Sequence, residues 1–268
     1  MAATTPCRFT IDHYKKILEL ALASCYSFVS YHEYDGSQDQ NVCILRHDID
    51  YMPEWATRFA AIESSLGIHA NYFFQICAKT YNLREKETHR IVNSLVDMGH
   101  HVGLHLDIEF QDMDWADLPA YCVSEKELFK RITGVDPVEI ISFHNTNRFT
   151  DQILGKEMPG MRHAYEPSFF GGMKYISDSQ GWYEGCPCHM FRQGLHQRMQ
   201  LLIHPYIWSQ KGNGDFLGNI AQVIAYRHQE LYDYFVHYHP VCRKQADELK
   251  SLINQYQVIS PTADHTES

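Results

Sequence analysis

A short apolar run that ends in acidic residues constrains the fold of this chain more than any other segment. Residues 44–50 read ILRHDID, with Asp48 and Asp50 at the end, and Pro53 then opens a segment with apolar residues at helical spacing. A strand that ends in carboxylates just before a helix is where α/β folds place their functional groups. The same residues also suit a simpler role, in which the acids only cap the next helix.

The pattern of an apolar run that ends in His or Asp recurs four more times. Helical patterns separate the runs, so the sequence predicts strands that alternate with helices in an α/β fold. The candidate residues of these further runs are His105 near the end of 101–107, His144 after 139–143, Asp178 after 173–177 and His204 after 199–203. We therefore expect the strand-end groups to meet at one edge of a parallel sheet.

The remaining segments predict a long loop, a C-terminal helical part and the number of domains. Residues 145–170 have little periodicity and predict a long loop, whereas 218–256 are helical in pattern. Pro240 must kink or divide that helical part. No internal repeat, linker composition or second hydrophobic block interrupts the chain, so we expect a single domain over residues 1–268.

Composition excludes several classes of partner. The net charge is −10 with His neutral and there is no basic run, which argues against nucleic acid. No apolar run reaches the roughly 18 residues of a spanning helix, so no membrane partner is expected. The eight cysteines are scattered, which is typical of free thiols in a reducing compartment and predicts a cytoplasmic protein. Cys186 and Cys188 lack the spacing of a zinc knuckle, so we interpret them as loop residues.

The strand-end residues have the composition of a metal-dependent hydrolytic site. A divalent metal that activates water takes about three protein ligands from His and carboxylate, and the reaction also needs a base and an acid. Each residue alone has an ordinary explanation: His105 and His144 can be buried hydrogen-bonded histidines, and Asp178 can cap a turn. Asp107 can cap a turn or hold His105 in one tautomer. A single site explains all of them together.

Five segments, in this order, resemble the motifs of the polysaccharide deacetylase superfamily, also called the NodB-homology or carbohydrate esterase family 4. They are LRHDID at 45–50, GHHVGLHLD at 99–107, ISFHNTN at 141–147, YISDSQGW at 175–182 and LLIHPYIW at 201–208. The resemblance covers roughly residues 40–210 and is to a divergent branch. It implies a distorted (β/α)7 barrel, followed here by a C-terminal helical extension. It also implies a divalent metal, zinc above all, and hydrolysis of N- or O-acetyl groups on sugars.

The resemblance implies a catalytic role for three residues. Asp48 matches the family's general base, His204 matches the general acid, and Asp178 matches an aspartate at the acetate pocket that can also steer that histidine. Asp50 and His105 match metal ligands. The extra residue between Asp48 and Asp50 leaves open which of the two carboxylates binds the metal.

The third metal ligand departs from the family pattern. The second histidine of the family's metal motif falls at Glu109, so His144, Glu109 and Asp107 all remain candidates. We favour His144, because it ends a strand and imidazole is a common metal ligand.

Substrate contacts are expected from four further residues. Arg46 and Arg148 can bind an anionic handle on the substrate. Trp182 matches a tryptophan beside the acetate pocket of the family, and Trp208 can provide an aromatic platform for a sugar.

The leading hypothesis is thus a cytoplasmic, zinc-dependent deacetylase that acts on a small-molecule or oligosaccharide substrate such as a glycan precursor. Two alternatives stay open: a metal-dependent hydrolase of another amide or formyl group, and a catalytically silent carbohydrate-binding relative. The sequence leaves the oligomeric state open.

Overall fold

A parallel sheet of seven strands, flanked by helices, positions the predicted site residues. The computed structural model describes residues 7–37, 40–108, 113–146, 149–179, 181–182, 184–208 and 214–258. The strands are β1 (Ser27–Phe28), β2 (Val42–Ile49), β3 (Asn71–Phe74), β4 (His101–Asp107), β5 (Ser142–His144), β6 (Lys174–Ser177) and β7 (Arg198–Ile203). The helices are α1 (Ile11–Ala23), α2 (Pro53–Ser65), α3 (Lys86–Asp97), α4 (Leu118–Thr133), α5 (Thr150–Ile153), α6 (Pro167–Phe170), α7 (Pro187–Gln193), α8 (Phe216–Tyr238), α9 (Pro240–Lys244) and α10 (Ala246–Val258).

The strand order confirms the predicted α/β fold of the distorted (β/α)7 type. Neighbouring strands follow the order β5-β4-β3-β2-β7-β6, with β1 beside the start of β2, and every pair is parallel. Among the described residues, no strand pairing joins β5 to β6, so the barrel is open there. Parallel strands bring their carboxyl ends to one edge, and Asp50, His105, His144 and His204 lie at that edge.

Strand β2 is the centre of the sheet and is buried along its whole length. Side chains alternate between the two faces of a strand, so Arg46, Asp48 and Asp50 share one face while His47 points to the other. The face of Asp48 carries a small apolar cluster around Ile44 and Phe73, and the opposite face carries the main hydrophobic core under the helices. The polar site is therefore supported from behind by packed aromatic and aliphatic side chains.

The turn after β2 explains how helix α2 begins so close to the site. Met52 has a φ of 54°, in the left-handed region, and Pro53 occupies the first turn of α2 as predicted. This turn lets the chain leave the end of β2 and enter the helix within three residues of Asp50.

The predicted loop at 145–170 is wrong in part, whereas the predicted break at Pro240 is confirmed. The segment 145–170 is not wholly a loop, because it contains α5 and α6. Each of these helices has only four residues, which is too short for an apolar period to register in the sequence. Pro240 divides the C-terminal helical part, since α8 ends at Tyr238 and α9 begins at Pro240.

The chain divides into two compact units, Met1–Ile220 and Ala221–Ser268. The second unit comprises most of α8 together with α9 and α10, which agrees with the predicted helical extension. The single-domain organisation stays a prediction. No helix in the described ranges is both long and apolar enough to cross a membrane.

Candidate metal centre and active site

A pocket of about 770 Å³ opens at the carboxyl ends of the strands. Five of the residues predicted for catalysis or metal binding line it: Asp48, Asp50, His105, His144 and His204. They come from β2, β4 and β5 and from the residues that directly follow β2 and β7. The topology thus brings together groups that lie as much as 156 positions apart in the sequence.

Three of these residues converge on one point. The distance from Asp50 Oδ1 to His105 Nε2 is 2.9 Å, and that to His144 Nδ1 is 3.0 Å. The two imidazole nitrogens lie 3.1 Å apart. Among the described residues, Asp50, His105 and His144 form the group at this pocket that could hold a metal ion. Asp48 and Asp107 do not belong to this group, and Glu109 lies outside the described residues.

The hydrogen bonds around His105 prepare it to bind a metal. Its Nδ1 lies 2.8 Å from Ser142 Oγ, and Ser142 Oγ in turn donates to the Asp48 carboxylate at 3.1 Å. Because the Ser142 proton is directed to Asp48, Ser142 can only accept from His105, which puts the imidazole proton on Nδ1. A metal at this point would displace the proton that Nε2 shares with Asp50 in the metal-free protein, and the Nε2 lone pair would then point at the ion. A metal-binding histidine is normally held in this way through its other nitrogen, so the donor set fits a divalent cation.

The charges of Asp50, His105 and His144, here called the converging group, affect one another. Burial alone raises the pKa of Asp50, but hydrogen bonds from His105 and His144 outweigh it and hold the pKa well below the ordinary value. Burial lowers the pKa of His144, but the hydrogen bond and charge of Asp50, together with the charges of Asp107 and Asp48, outweigh burial and raise this pKa. Asp50 is therefore an anion that attracts positive charge to this point of the pocket.

Asp48 lies beside this group and is paired with Arg46. Arg46 Nε and Nη2 donate to the two carboxylate oxygens of Asp48 at 2.9 and 2.6 Å, and both side chains are buried. Burial raises the pKa of Asp48, but the Arg46 guanidinium, together with the charges of His105 and His204, outweighs burial and lowers this pKa. The pair therefore fixes an ionised carboxylate at the wall of the pocket.

His204 is oriented by a buried aspartate. Asp178 Oδ1 lies 2.6 Å from His204 Nδ1, while Asp178 Oδ2 accepts from the His204 backbone N–H at 2.9 Å and from Trp208 Nε1 at 2.8 Å. The other imidazole nitrogen, Nε2, lies 3.7 Å from Asp50 Oδ2. His204 therefore turns Nε2 toward the converging group and Nδ1 toward Asp178.

The surroundings of His204 favour its protonated form. Burial alone lowers the pKa of this imidazole, but the charge and hydrogen bond of Asp178 outweigh it and raise the pKa to about 9. At neutral pH the side chain carries a proton on Nε2, next to the pocket.

Of the residues predicted to contact the substrate, some line the pocket and others are buried behind it. Trp182 lines the pocket, whereas Trp208 and Arg46 are fully buried and do not line it. Trp208 donates to Asp178, and Arg46 donates to Asp48, so both act behind the residues that face the pocket. Arg148 lies outside the described residues.

Two residues of the site were missed by sequence reasoning. Ser142 bridges Arg46, Asp48 and His105, and Tyr165 contributes its hydroxyl and ring to Arg46. Ser142 had a detectable signal, because it lies two residues before His144 and so on the same face of the strand. Tyr165 had none, since it lies in a segment without periodicity.

Comparison with known proteins gives matches among solved structures only. No protein-family model and no curated protein matches the chain. A CE4 family pseudoenzyme from Bacillus anthracis has 13% identity and a TM-score of 0.40, over 72% of this chain and 62% of the other. A family 4 carbohydrate esterase from Bacillus anthracis has 17% identity and a TM-score of 0.41, over 86% and 93% of the two chains. A peptidoglycan deacetylase from Bacillus subtilis has 13% identity and a TM-score of 0.40, over 83% and 100%.

The carbohydrate esterase family 4 appears among these structural neighbours, and it is also the family that the sequence motifs resemble. The chain spans less than two thirds of the length of the pseudoenzyme chains, of which it covers 62–64%.

Proposed function

We propose that this protein is a metal-dependent hydrolase that removes an acetyl group from a sugar or glycan precursor. One observation carries the proposal: a possible metal-binding group, an ionised carboxylate and a protonated imidazole line a single pocket. A metal-dependent hydrolase needs these three components together, whereas a binding module has no use for both a base and an acid.

In this proposal Asp50, His105 and His144 hold a divalent ion, with zinc as the first candidate. The buried His-His-carboxylate set and the fixed tautomer of His105 support this assignment. When bound, such an ion polarises an acyl carbonyl and lowers the pKa of water.

Asp48 is proposed as the general base. A carboxylate offers about four acceptor positions, and three of them are taken by Arg46 Nε, Arg46 Nη2 and Ser142 Oγ, so one remains. The oxygen of the attacking water adds to the acyl carbon, and Asp48 takes the proton that water loses. Arg46 and Ser142 hold the carboxylate in place and are positioning residues here.

His204 is proposed as the general acid. As the bond from the acyl carbon to the leaving nitrogen or oxygen breaks, its electron pair stays with the leaving atom, and His204 Nε2 donates a proton to it. Asp178 and Trp208 act through His204, since neither lines the pocket. The net reaction consumes one water and releases acetate and the deacylated sugar.

The lining of the pocket supports a carbohydrate substrate. Its walls include several aromatic side chains, which offer flat surfaces for sugar rings. They are Phe143, Tyr165, Phe170, Tyr175 and Trp182. A cytoplasmic location is part of the proposal and is supported by the eight cysteines, all of which are free thiols.

The test is release of acid from a panel of acylated compounds by zinc-loaded protein. The panel contains N-acetylated oligosaccharides, O-acetylated oligosaccharides, an N-acetylated nucleotide sugar and an N-formylated sugar. We expect acetate from at least one sugar, loss of turnover in Asp48→Asn and His204→Gln, and parental turnover in the exposed controls Asp97→Asn and His32→Gln. Release of formate alone would favour the other acyl hydrolase. Binding of oligosaccharides without release of any acid would favour the silent binding protein.

A further inference from the structure

A second cluster of metal-ligating side chains lies away from the pocket. Cys7 precedes α1, His13 lies in the first turns of α1, and Cys186 and Cys188 lie at the start of α7. Helices α1 and α7 pack against each other. The packing brings Cys7 and Cys188, which are 181 positions apart, into contact. Cys186 and Cys188 are the pair that the sequence spacing marked as loop residues, and that interpretation was wrong, because Cys188 lies in α7 and Cys186 directly precedes it.

The four side chains aim their ligand atoms at one another. Cys7 Sγ lies 3.5 Å from Cys188 Sγ, and His13 Nε2 lies 3.2 Å from Cys186 Sγ. All four ligand atoms lie within 4.8 Å of one another. A tetrahedral zinc with bonds of about 2.3 Å to sulfur and 2.0–2.1 Å to nitrogen separates its ligand atoms by roughly 3.5–3.8 Å. The measured contacts are at most a few tenths of an ångström shorter than this.

The chemistry of the cluster also suits zinc. Three cysteines and one histidine form one of the usual ligand sets of structural zinc sites. All four residues are at least half shielded from solvent, and Cys186 and Cys188 are buried. The cysteines are free thiols, and a 3.5 Å contact between sulfurs is far longer than the roughly 2.05 Å of a disulfide bond.

The charges around the cluster favour thiolates. Three thiolates with one divalent zinc carry a net charge of −1, which neighbouring cations offset. A cavity of about 270 Å³ beside the cluster is lined by Cys7 and Cys188, and its charged residues are three cations, Arg8, Lys16 and Arg192, and one carboxylate, Asp12. His189 Nε2 also lies 3.5 Å from Cys7 Sγ and can donate to that sulfur.

We propose that Cys7, His13, Cys186 and Cys188 bind a structural zinc ion that ties the start of α1 to the start of α7. Four protein ligands leave no open position, so the ion takes no part in the hydrolysis. Its effect is on the fold: it closes the chain segment between Cys7 and Cys188, which contains β1 to β6, and its binding free energy adds to the stability of the folded state. This proposal is independent of the function of the pocket.

Cobalt substitution tests the proposal on the unaltered protein. We would remove bound metal from the reduced full-length chain and add Co²⁺, which replaces zinc with little change in geometry. Thiolate ligands give an intense near-ultraviolet charge-transfer band and tetrahedral visible bands, whereas the Asp-His-His group has no sulfur and gives no such band. We expect the thiolate bands to saturate at about one equivalent of cobalt per chain and to disappear when zinc is added in excess.

Variants assign the bands to residues. Cys188→Ser and Cys7→Ser should lose the charge-transfer band and about one equivalent of zinc by elemental analysis, while the exposed control Cys77→Ser keeps both. Asp50→Asn should keep the thiolate bands, because it changes only the pocket. No thiolate band in the parent after reduction, or a band that survives both Cys7→Ser and Cys188→Ser, would overturn the proposal.

Discussion

Arg46 and Asp48 lie two positions apart on β2 and form a buried, bidentate ion pair, with donor–acceptor distances of 2.9 and 2.6 Å. The period-2 geometry of a strand puts both side chains on one face, so a single strand carries both the carboxylate and its counterion. The carboxylate lines the pocket and the guanidinium does not. The pair therefore supports the wall of the site from within the core.

Removal of one partner from this pair should cost both stability and activity. Arg46→Met leaves the Asp48 charge buried without its main partner, which typically costs about 3–5 kcal/mol. Chemical denaturation measures the loss. Arg90→Met is the matched control, because Arg90 pairs with Glu87 on the exposed surface of α3, where a pair contributes less than about 1 kcal/mol. Equal losses in the two variants would mean that the Arg46–Asp48 pair is not buried as described.

Loss of the Ser142 hydroxyl should weaken metal binding without removing a ligand. Ser142→Ala frees His105 to take either tautomer, and loss of such an orienting partner typically lowers metal affinity about 10–100-fold. Competition with a chromophoric chelator measures the affinity for zinc at the pocket, in a Cys188→Ser background so that one site is read. Ser94→Ala removes a hydroxyl that bonds a carbonyl within α3 and is the control. Unchanged zinc affinity in Ser142→Ala would contradict the tautomer assignment.

The Asp178–His204 pair predicts a pH dependence with a definite sign. The folded-state pKa of His204, about 9, lies above the ordinary value of 6.5. Its contribution to stability is therefore complete below pH 6.5 and is lost as the pH rises through 9.

In metal-free protein, nuclear magnetic resonance should show His204 titrating near pH 9. In Asp178→Asn the pKa of His204 should fall, because the negative charge that stabilises its protonated form is removed. The exposed control Asp97→Asn should leave the His204 titration where it was. A His204 pKa that is the same in Asp178→Asn and in the parent would show that Asp178 does not set it.

Glu63 predicts a second effect on stability, on the opposite face of β2. This fully buried carboxylate accepts from the Tyr14 and Tyr72 hydroxyls and lies 2.7 Å from His47 Nε2. Glu63→Ala leaves these buried groups without their common acceptor and should cost several kcal/mol, of the order of 1–3 for each unpaired group. Thermal unfolding measures the change, with the exposed control Glu127→Ala expected within about 0.5 kcal/mol of the parent.

The pH dependence of the same group has the opposite sign to that of His204. Burial raises the pKa of Glu63, but the charge and hydrogen bond of His47, together with His100 and the Tyr14 hydroxyl, outweigh burial and lower the pKa. The stabilisation by Glu63 is therefore present above its unfolded pKa and is lost as the pH falls through the folded value. A Glu63→Gln variant should lose less stability on acidification than the parent does. Parallel pH profiles for the two proteins would exclude a contribution from this group.

Local pattern explains what could be predicted from the sequence. The apolar run before Asp48 predicts a buried strand, and the proline at 53 predicts the helix that follows, because both signals come from neighbouring residues. The meeting of Asp50, His105 and His144 follows from parallel strands, since their carboxyl ends share one edge. The pairing of Arg46 with Asp48 was missed, and the sequence suggested a substrate contact instead.

The missed contacts depend on positions that only the folded chain brings together. Arg46 is held by Ser142 and Tyr165, which lie 96 and 119 positions away. The cluster of Cys7 with Cys188 spans 181 positions, so the spacing of cysteines along the chain carried no sign of it. Long-range side-chain partners of this kind have no local signature in a single sequence.

Anomalous diffraction from crystals of the protein grown with zinc tests the central claim most directly. Data collected on either side of the zinc absorption edge locate the ion independently of any activity assay. We expect an anomalous peak within coordination distance of Asp50 Oδ1, His105 Nε2 and His144 Nδ1, and its absence in crystals of the His144→Ala variant. An anomalous map of zinc-saturated parent crystals with no peak at these three atoms, or with the peak on Asp48 instead of Asp50, would contradict the account.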